Sequence, residues 1–288
     1  MSEVTLPNVT LLILLYQKQL DTCSTFLSLL TNPLASQVNV VIWDNGSLAQ
    51  LQQNRLMAEH YQHDFASLLV QGNGQNMPLS KVYNQVFEQA FQQNGAELVV
   101  LLDHDTELPT DYLQIFIDEY QQTAGELLLV PQVRSKKQKL LVSPRRQEAY
   151  YLFRRYHLSC DFEGVSAGMQ NTNQFFAVAS GLGITAKVWQ TGLRFEETLQ
   201  FYGIDTEFCA DYASKFSHFF LSNAVLSHDI SEEAAESSTV KMWRFEQHMD
   251  YWRFQLKKHA PYPSWCTAAF VACYRRLYRL KVRLQAHD

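Results

Sequence analysis

Residues 98–108 read LVVLLDHDTEL, and this stretch decides the fold. LVVLL is a run of strand length with no polar alternation, as expected of a strand buried on both faces. It ends abruptly in Asp103-His104-Asp105. In open α/β sheets, ligands gather outside the carboxyl ends of the strands, so an apolar run that ends in acids marks such an edge. Working outward, the pattern recurs. Residues 10–16 (TLLILLY) lead into Gln17, residues 38–43 (VNVVIW) into Asp44-Asn45-Gly46-Ser47, and residues 67–70 towards Gly72-Asn73. Helical segments are predicted between these runs, over 21–30, 51–61 and 79–93. The last places Val82, Val86, Phe87, Ala90 and Phe91 on one face, with Asn94-Gly95 closing it. A helix over 111–121 and a strand over 127–133 follow. This β-α-β-α order predicts an α/β fold with a mostly parallel sheet flanked by helices. Further strands are expected at 175–180 and 219–226.

The 288 residues are 47% apolar, enough for a sizeable core in one or two domains. With 24 basic against 29 acidic residues, the chain as a whole is no nucleic-acid binder. Five scattered cysteines without a CxxC pair exclude a zinc ribbon and a disulfide framework, and a reducing cytosol is the simplest home. The apolar run at 9–15 is too short to span a bilayer and lacks the flanks of a signal peptide. Residues 134–155 hold eight basic residues, among them Arg154 and Arg155, against one acid. Residues 231–239 (SEEAAESST) read as a polar linker, dividing a domain over 1–230 from a helical extension over 231–288. Residues 241–288 carry ten basic and three acidic residues, or +7, so a net charge of −5 leaves about −12 on the remainder. Within 265–284, Phe270, Tyr274, Leu277 and Leu284 recur at helical spacing beside Arg275, Arg276, Arg279, Lys281 and Arg283. Such a helix fits a membrane surface, a homodimer seam, or a dock on the acidic domain.

The chemistry concentrates in a few places. In an extended segment, residues i and i+2 point the same way, which brings the Asp103 and Asp105 carboxylates together. Two such carboxylates form a hard oxygen site for Mg²⁺ or Mn²⁺, usually completed by water and substrate phosphates. The same residues also read as a strand-to-loop junction with helix-capping acids. Gly181 and Gly183 in ASGLGIT predict a tight backbone near an acceptor, or an ordinary turn. Trp189, Trp243, Trp252 and Trp265 read as core or interface.

Six stretches, in order, resemble family 2 glycosyltransferases of the GT-A fold, nearest the bacterial rhamnosyltransferase-like group. They are the first strand into Tyr16-Gln17, VVIWDNGS at 40–47, Asn76 and Asn84 with Pro78 where Gly is usual, Asp103-His104-Asp105, GLRFEETLQFYGIDTEFCADY at 192–212, and LSNAVLSHD ending at 229. The resemblance covers residues 9–230. It implies a GT-A-type α/β domain and inverting, metal-dependent transfer from a nucleotide-diphosphate sugar to a glycan or lipid-linked acceptor. Bacterial polysaccharide or cell-wall glycan synthesis, at the inner face of the membrane, follows from the same likeness. Tyr16, Gln17, Asp44, Asn76, Asn84 and Asp103 would line the nucleotide site, with Asp44 receiving the base. Asp103, Asp105 and His228 would hold the Mn²⁺ or Mg²⁺. Asp205 aligns with the general base. Ile204 stands where many members have Glu, and Tyr212 falls near the usual Arg.

Elementary chemistry agrees with these roles. Breaking a bond to a nucleoside diphosphate needs its charge neutralised, and the acceptor hydroxyl needs a base. Phe201, Tyr202 and Phe208 could desolvate Asp205. Asp205 also reads as a helix N-cap, and Glu207 is a rival base. Three other identities are weighed. A dehalogenase-type phosphatase would have Thr or Val where Glu107 stands. A nucleotidyltransferase would have glycines within 16–24 (YQKQLDTCS). A non-catalytic nucleotide- or glycan-binding relative is the third.

Overall fold

The computed structural model describes residues 6–147, 158–159, 161–228, 238–260 and 262–285. Arg154, Arg155, Cys160 and all but the last two residues of the expected linker lie outside the described residues. The first half contains β1 (Val9–Leu15), α1 (Ser24–Leu30), β2 (Asn39–Asp44), α2 (Leu48–Ala58), β3 (Ser67–Gln71), α3 (Leu79–Glu88), β4 (Leu98–Asp103), α4 (Tyr112–Gln122) and β5 (Leu129–Ser135). Short strands follow: β6 (Leu141–Ser143), β7 (Arg145–Gln147), β8 (Leu158–Ser159), β9 (Gly168–Asn171), β10 (Phe175–Phe176) and β11 (Gly183–Thr185). The chain then forms α5 (Ala186–Gln190), α6 (Ile204–Ala213), β12 (His218–His228), α7 (Ser238–His259) and α8 (Ser264–Gln285).

The main sheet runs β3-β2-β1-β4-β11-β5-β12-β9, with β6 paired to β5. Strands β3, β2, β1 and β4 are parallel, and β12 is parallel to β5. Strand β11 runs antiparallel between β4 and β5. Two reversals across β11 restore the direction, so β1 to β5 and β12 all end at one edge. The sheet is therefore mostly parallel with helices on both faces, as the β-α-β order predicts. Strand periodicity sorts the core. Leu12, Leu14, Val99 and Leu101 pack with Val86 and Phe87 of α3 and Phe208 of α6. Leu11, Ile13, Val100 and Leu102 face the other side, with Phe26 of α1, Leu51 of α2 and Phe116 of α4.

The structure corrects several expectations. The predicted strand at 175–180 shrinks to β10, because the chain turns at Gly181 (φ +86) to enter β11. A Cβ on Gly181 would sit 2.3 Å from Leu226 Cδ1, and one on Gly183 2.8 Å from Phe116 Cε1. These glycines thus admit core side chains and do not shape an acceptor pocket. The helix predicted over 79–93 changes winding at Gln89–Gln93, a π-helical turn. Helix α7 takes up the last two residues of the expected linker. It docks on the domain through Tyr251 and Phe254, and α8 packs on α7. Trp189 is buried, as expected, and Trp252 stacks edge-on with Phe270 and Tyr274 of α8. Trp265 is not core, being 72% exposed.

Candidate active site

Asp103 is the last residue of β4 and His228 the last of β12, both at the carboxyl edge. The loop after β4 is pinned from several directions. The Thr25 hydroxyl donates to the carbonyls of Asp103 and Thr106, and Thr106 N donates back to Thr25 Oγ1 at 3.1 Å. The Cys23 thiol, which accepts from Phe26 N at the start of α1, donates to the His104 carbonyl at 3.3 Å. Burial pushes that thiol up to about 11, which leaves it a structural hydrogen-bonding group at neutral pH. Ser180, where the chain turns into β11, accepts from Asp103 N, and its hydroxyl lies 2.7 Å from the Thr106 hydroxyl. Thr106 Oγ1 is in turn 3.1 Å from His228 Nδ1.

This scaffold brings Asp103, Asp105 and His228 together, with one ligand atom of each within 4.8 Å of the others. His228 Nε2 is 4.0 Å from Asp103 Oδ2, and Nδ1 is 3.3 Å from Asp105 Oδ1. Despite that short distance, Asp105 Oδ1 is buried without a hydrogen bond, because the geometry is wrong for one. An orphaned carboxylate oxygen beside a second carboxylate and an imidazole fits a divalent cation. Burial, then the neighbouring Asp105, raises the Asp103 carboxyl, while His228 opposes the rise.

Asp205 lies in the first turn of α6, which starts at Ile204 behind Gly203 in the left-handed region (φ +78). Gly203 occupies the N-cap position, so Asp205 does not cap the helix as the sequence suggests. Asp205 Oδ1 accepts from Thr206 N at 2.8 Å. Burial raises its carboxyl above the usual aspartate range. Backbone N–H groups of Thr206, Asp205 and Ala179 oppose that rise, and Asp103 adds to it. The apolar setting differs from the one expected. Phe201 and Tyr202 turn to α7, against Trp243 and His248, while Phe208 stacks on Phe195. Tyr83 of α3 sits near both acids: burial, then Asp103 and Asp205, push its phenol well up. Glu207 is fully buried and held by Lys258 Nζ at 3.1 Å and His259 Nε2 at 3.0 Å, both from α7. It is thus closed off as a base.

The nucleotide-side residues divide. Tyr16 is exposed at the end of β1, and Gln17 Nε2 donates to its hydroxyl. Asp44 is completely buried. Its Oδ1 accepts from Gly46 N at 2.8 Å and its Oδ2 from Asn54 Nδ2 at 2.7 Å. Here it holds the turn after β2 and offers no surface to a base, contrary to the expectation. Asn45 ties that turn to the next loop, donating to Asn76 Oδ1 and accepting from Met77 N. Asn84, half-buried on α3, also makes protein contacts. Its amide donates to Phe195 O and Glu197 Oε1 and accepts from Phe195 N, which brackets the 195–197 segment onto α3. Beside the edge, a cleft of about 340 Å³ opens among Trp43, Arg55, Gln71, Gly72, Asn73 and Met77. Cys23, Thr25, Tyr83, Thr106 and Ser180 escaped the sequence reading. Each acts on a partner far along the chain, and no local motif marks them.

The fold and this edge define a GT-A-type α/β protein with a candidate divalent-cation centre. No protein-family model matches the chain, and no similar sequence is found among curated proteins. Among solved structures it is similar to S. aureus TarS, with TM-score 0.54 and 14% identity over 92% of this chain and 42% of that one. Residues 1–349 of S. aureus TarS match with TM-score 0.56 and 13% identity, over 92% of this chain and 69% of that one. The same fragment in complex with UDP-GlcNAc gives TM-score 0.55 and 13% identity, over 92% and 70%. This chain thus spans less than half of that first TarS chain, and the likeness is one of fold.

Proposed function

We propose that this chain is an inverting, metal-dependent glycosyltransferase of the family 2, rhamnosyltransferase-like kind. It would move a sugar from a nucleotide-diphosphate sugar to a glycan or lipid-linked acceptor, in bacterial polysaccharide or cell-wall glycan synthesis. The observation that carries the reading is the meeting of Asp103, Asp105 and His228 at the carboxyl edge, with Asp205 close enough to Asp103 to feel its charge. Asp103, Asp105 and His228 would hold Mn²⁺ or Mg²⁺, which supplies charge neutralisation for the departing diphosphate. Asp205 would accept the acceptor hydroxyl proton as that oxygen bonds to the sugar carbon and the diphosphate leaves. Tyr16, Gln17 and Asn76 would line the donor. The complex of the similar TarS fragment with UDP-GlcNAc makes UDP-sugars the first donors to test. We place the acceptor in the cleft of about 760 Å³ between residues 196–202 and α7. Nucleotide sugars are made in the cytoplasm, so the reaction belongs there, at the inner face of the membrane.

A panel of nucleotide sugars, assayed for hydrolysis with Mn²⁺ and then with excess chelator, tests this reading. Metal-dependent release of the nucleoside diphosphate is expected from at least one donor, and Asp103→Ala or Asp105→Ala should abolish it. Turnover undiminished by chelator would refute the metal role. The burial of Asp44 and the engagement of Asn84 favour one second reading, a nucleotide- or glycan-binding relative without activity. That reading predicts donor binding by calorimetry with no hydrolysis of any donor.

A further inference from the structure

We infer that the outer face of α8 is a docking surface for an anionic lipid bilayer. The helix uses only part of its circumference. Val271 and Phe270 pack on Met249, Trp252 and Leu256 of α7, and Tyr278 stacks on Phe245 at 3.8 Å between ring centroids. Among the described residues nothing covers the opposite side. Trp265, Ala269, Cys273, Leu277 and Leu280 follow one another at steps of three or four residues and form a single stripe. Trp265 is 72%, Leu277 62% and Leu280 55% exposed. At 1.5 Å per residue the stripe is about 22 Å long, a straight apolar ridge without a groove.

Charge selects the occupant. Helix α8 contains Arg275, Arg276, Arg279, Lys281 and Arg283 and no acidic residue. Arg275 and Arg279 reach back to Glu246 and Asp250 of α7, which fixes the helix and turns both acids to its inward side. Arg276 is exposed at the rim of the stripe. An apolar stripe with a cationic rim is the pattern of a helix lying in the lipid interface. Trp265 stands at one end of it, where an amphipathic ring suits the headgroup boundary. A second copy of this chain fits worse. Two-fold pairing would bring the same acid-free face against itself, with like charges along both rims. No helix among the described residues is long and apolar enough to cross a membrane, so the contact is a surface one.

The inference does not depend on glycosyl transfer, and its test needs no turnover. The whole chain is mixed with vesicles of phosphatidylcholine containing about one third phosphatidylglycerol, or of phosphatidylcholine alone, and sedimented. Binding to the anionic vesicles only is expected, with release as salt rises from about 0.05 to 0.5 M. The Leu277→Glu/Leu280→Glu double variant should bind about tenfold less, with an unchanged melting temperature. Trp265→Ser repeats the test should that pair unfold. Failure to bind anionic vesicles, equal binding to neutral ones, or undiminished binding by the variants would overturn the inference. So would a dimer in sedimentation velocity that the same substitutions dissociate.

Discussion

Asp205 carries a cost that its proposed role requires. Burial raises its folded carboxyl above the ordinary value, so the folded chain holds the proton more tightly than the unfolded chain. Stability from that group is present below the unfolded value, about 3.9, and is lost as pH rises through the folded one. At neutral pH Asp205→Asn should therefore melt at the same temperature as the parent or higher, with the difference growing as pH is raised from acid. Turnover should fall by about 10²–10⁴. The acid limb of the parent rate profile should lie above the ordinary aspartate range and vanish in the variant. Glu207→Gln, which changes a buried residue held by α7, should do the reverse, losing stability while keeping most turnover. Asp44 presents the opposite balance. Its removal orphans Gly46 N and one N–H of the Asn54 amide in a site without solvent. Asp44→Ala should cost about 1–3 kcal/mol in a denaturant titration. If it also weakens nucleoside diphosphate binding in calorimetry, it does so by releasing the turn.

Helix α6 is set by what lies on its first residue. Gly203 adopts φ +78, and a Cβ there would come within 2.0 Å of Tyr251 Cε2 of α7. Gly203→Ala should therefore cost about 1–3 kcal/mol from backbone strain alone. It should also lift α7, exposing amides around Tyr251 to hydrogen exchange and lowering turnover through Asp205. Elements that bury whole strands were legible from the start. Residues 10–16, 38–43 and 98–102 have no other use for an unbroken apolar run. Strand β11 was not, since three residues carry no periodicity and its place between β4 and β5 is fixed only by long-range pairing. The winding change at Gln89–Gln93 is equally silent, because apolar residues at 86, 87, 90 and 91 suit either helix. At the site, Asp103-His104-Asp105 showed itself through its abrupt polarity. Ser180 and Thr106 could not, since a hydroxyl's meaning lies in a partner more than seventy positions away. Asp44 misled for a related reason: a carboxylate at a strand end looks the same whether it faces ligand or its own turn.

On the scale of the whole molecule, the last helices complete what the first strands begin. Tyr251 and Phe254 close over the same core cluster that holds Leu12 and Val41, and Lys258 neutralises the buried Glu207, which His259 also contacts. Burial alone would lower the Lys258 ammonium, but its bonds to Asp211 and Glu207 raise it. During synthesis, however, these groups leave the ribosome after the domain they close. Until residue 259 has emerged, the nascent domain has an unpaired carboxylate and an uncapped apolar patch beside Gly203, and so stays prone to association. A chain stopped after residue 239 should for that reason collect in the insoluble fraction, or melt well below the full chain if recovered. Supplying residues 238–285 as a separate peptide should restore part of the difference. By this reasoning the α7–α8 pair serves as an intramolecular chaperone for the domain that precedes it in the chain.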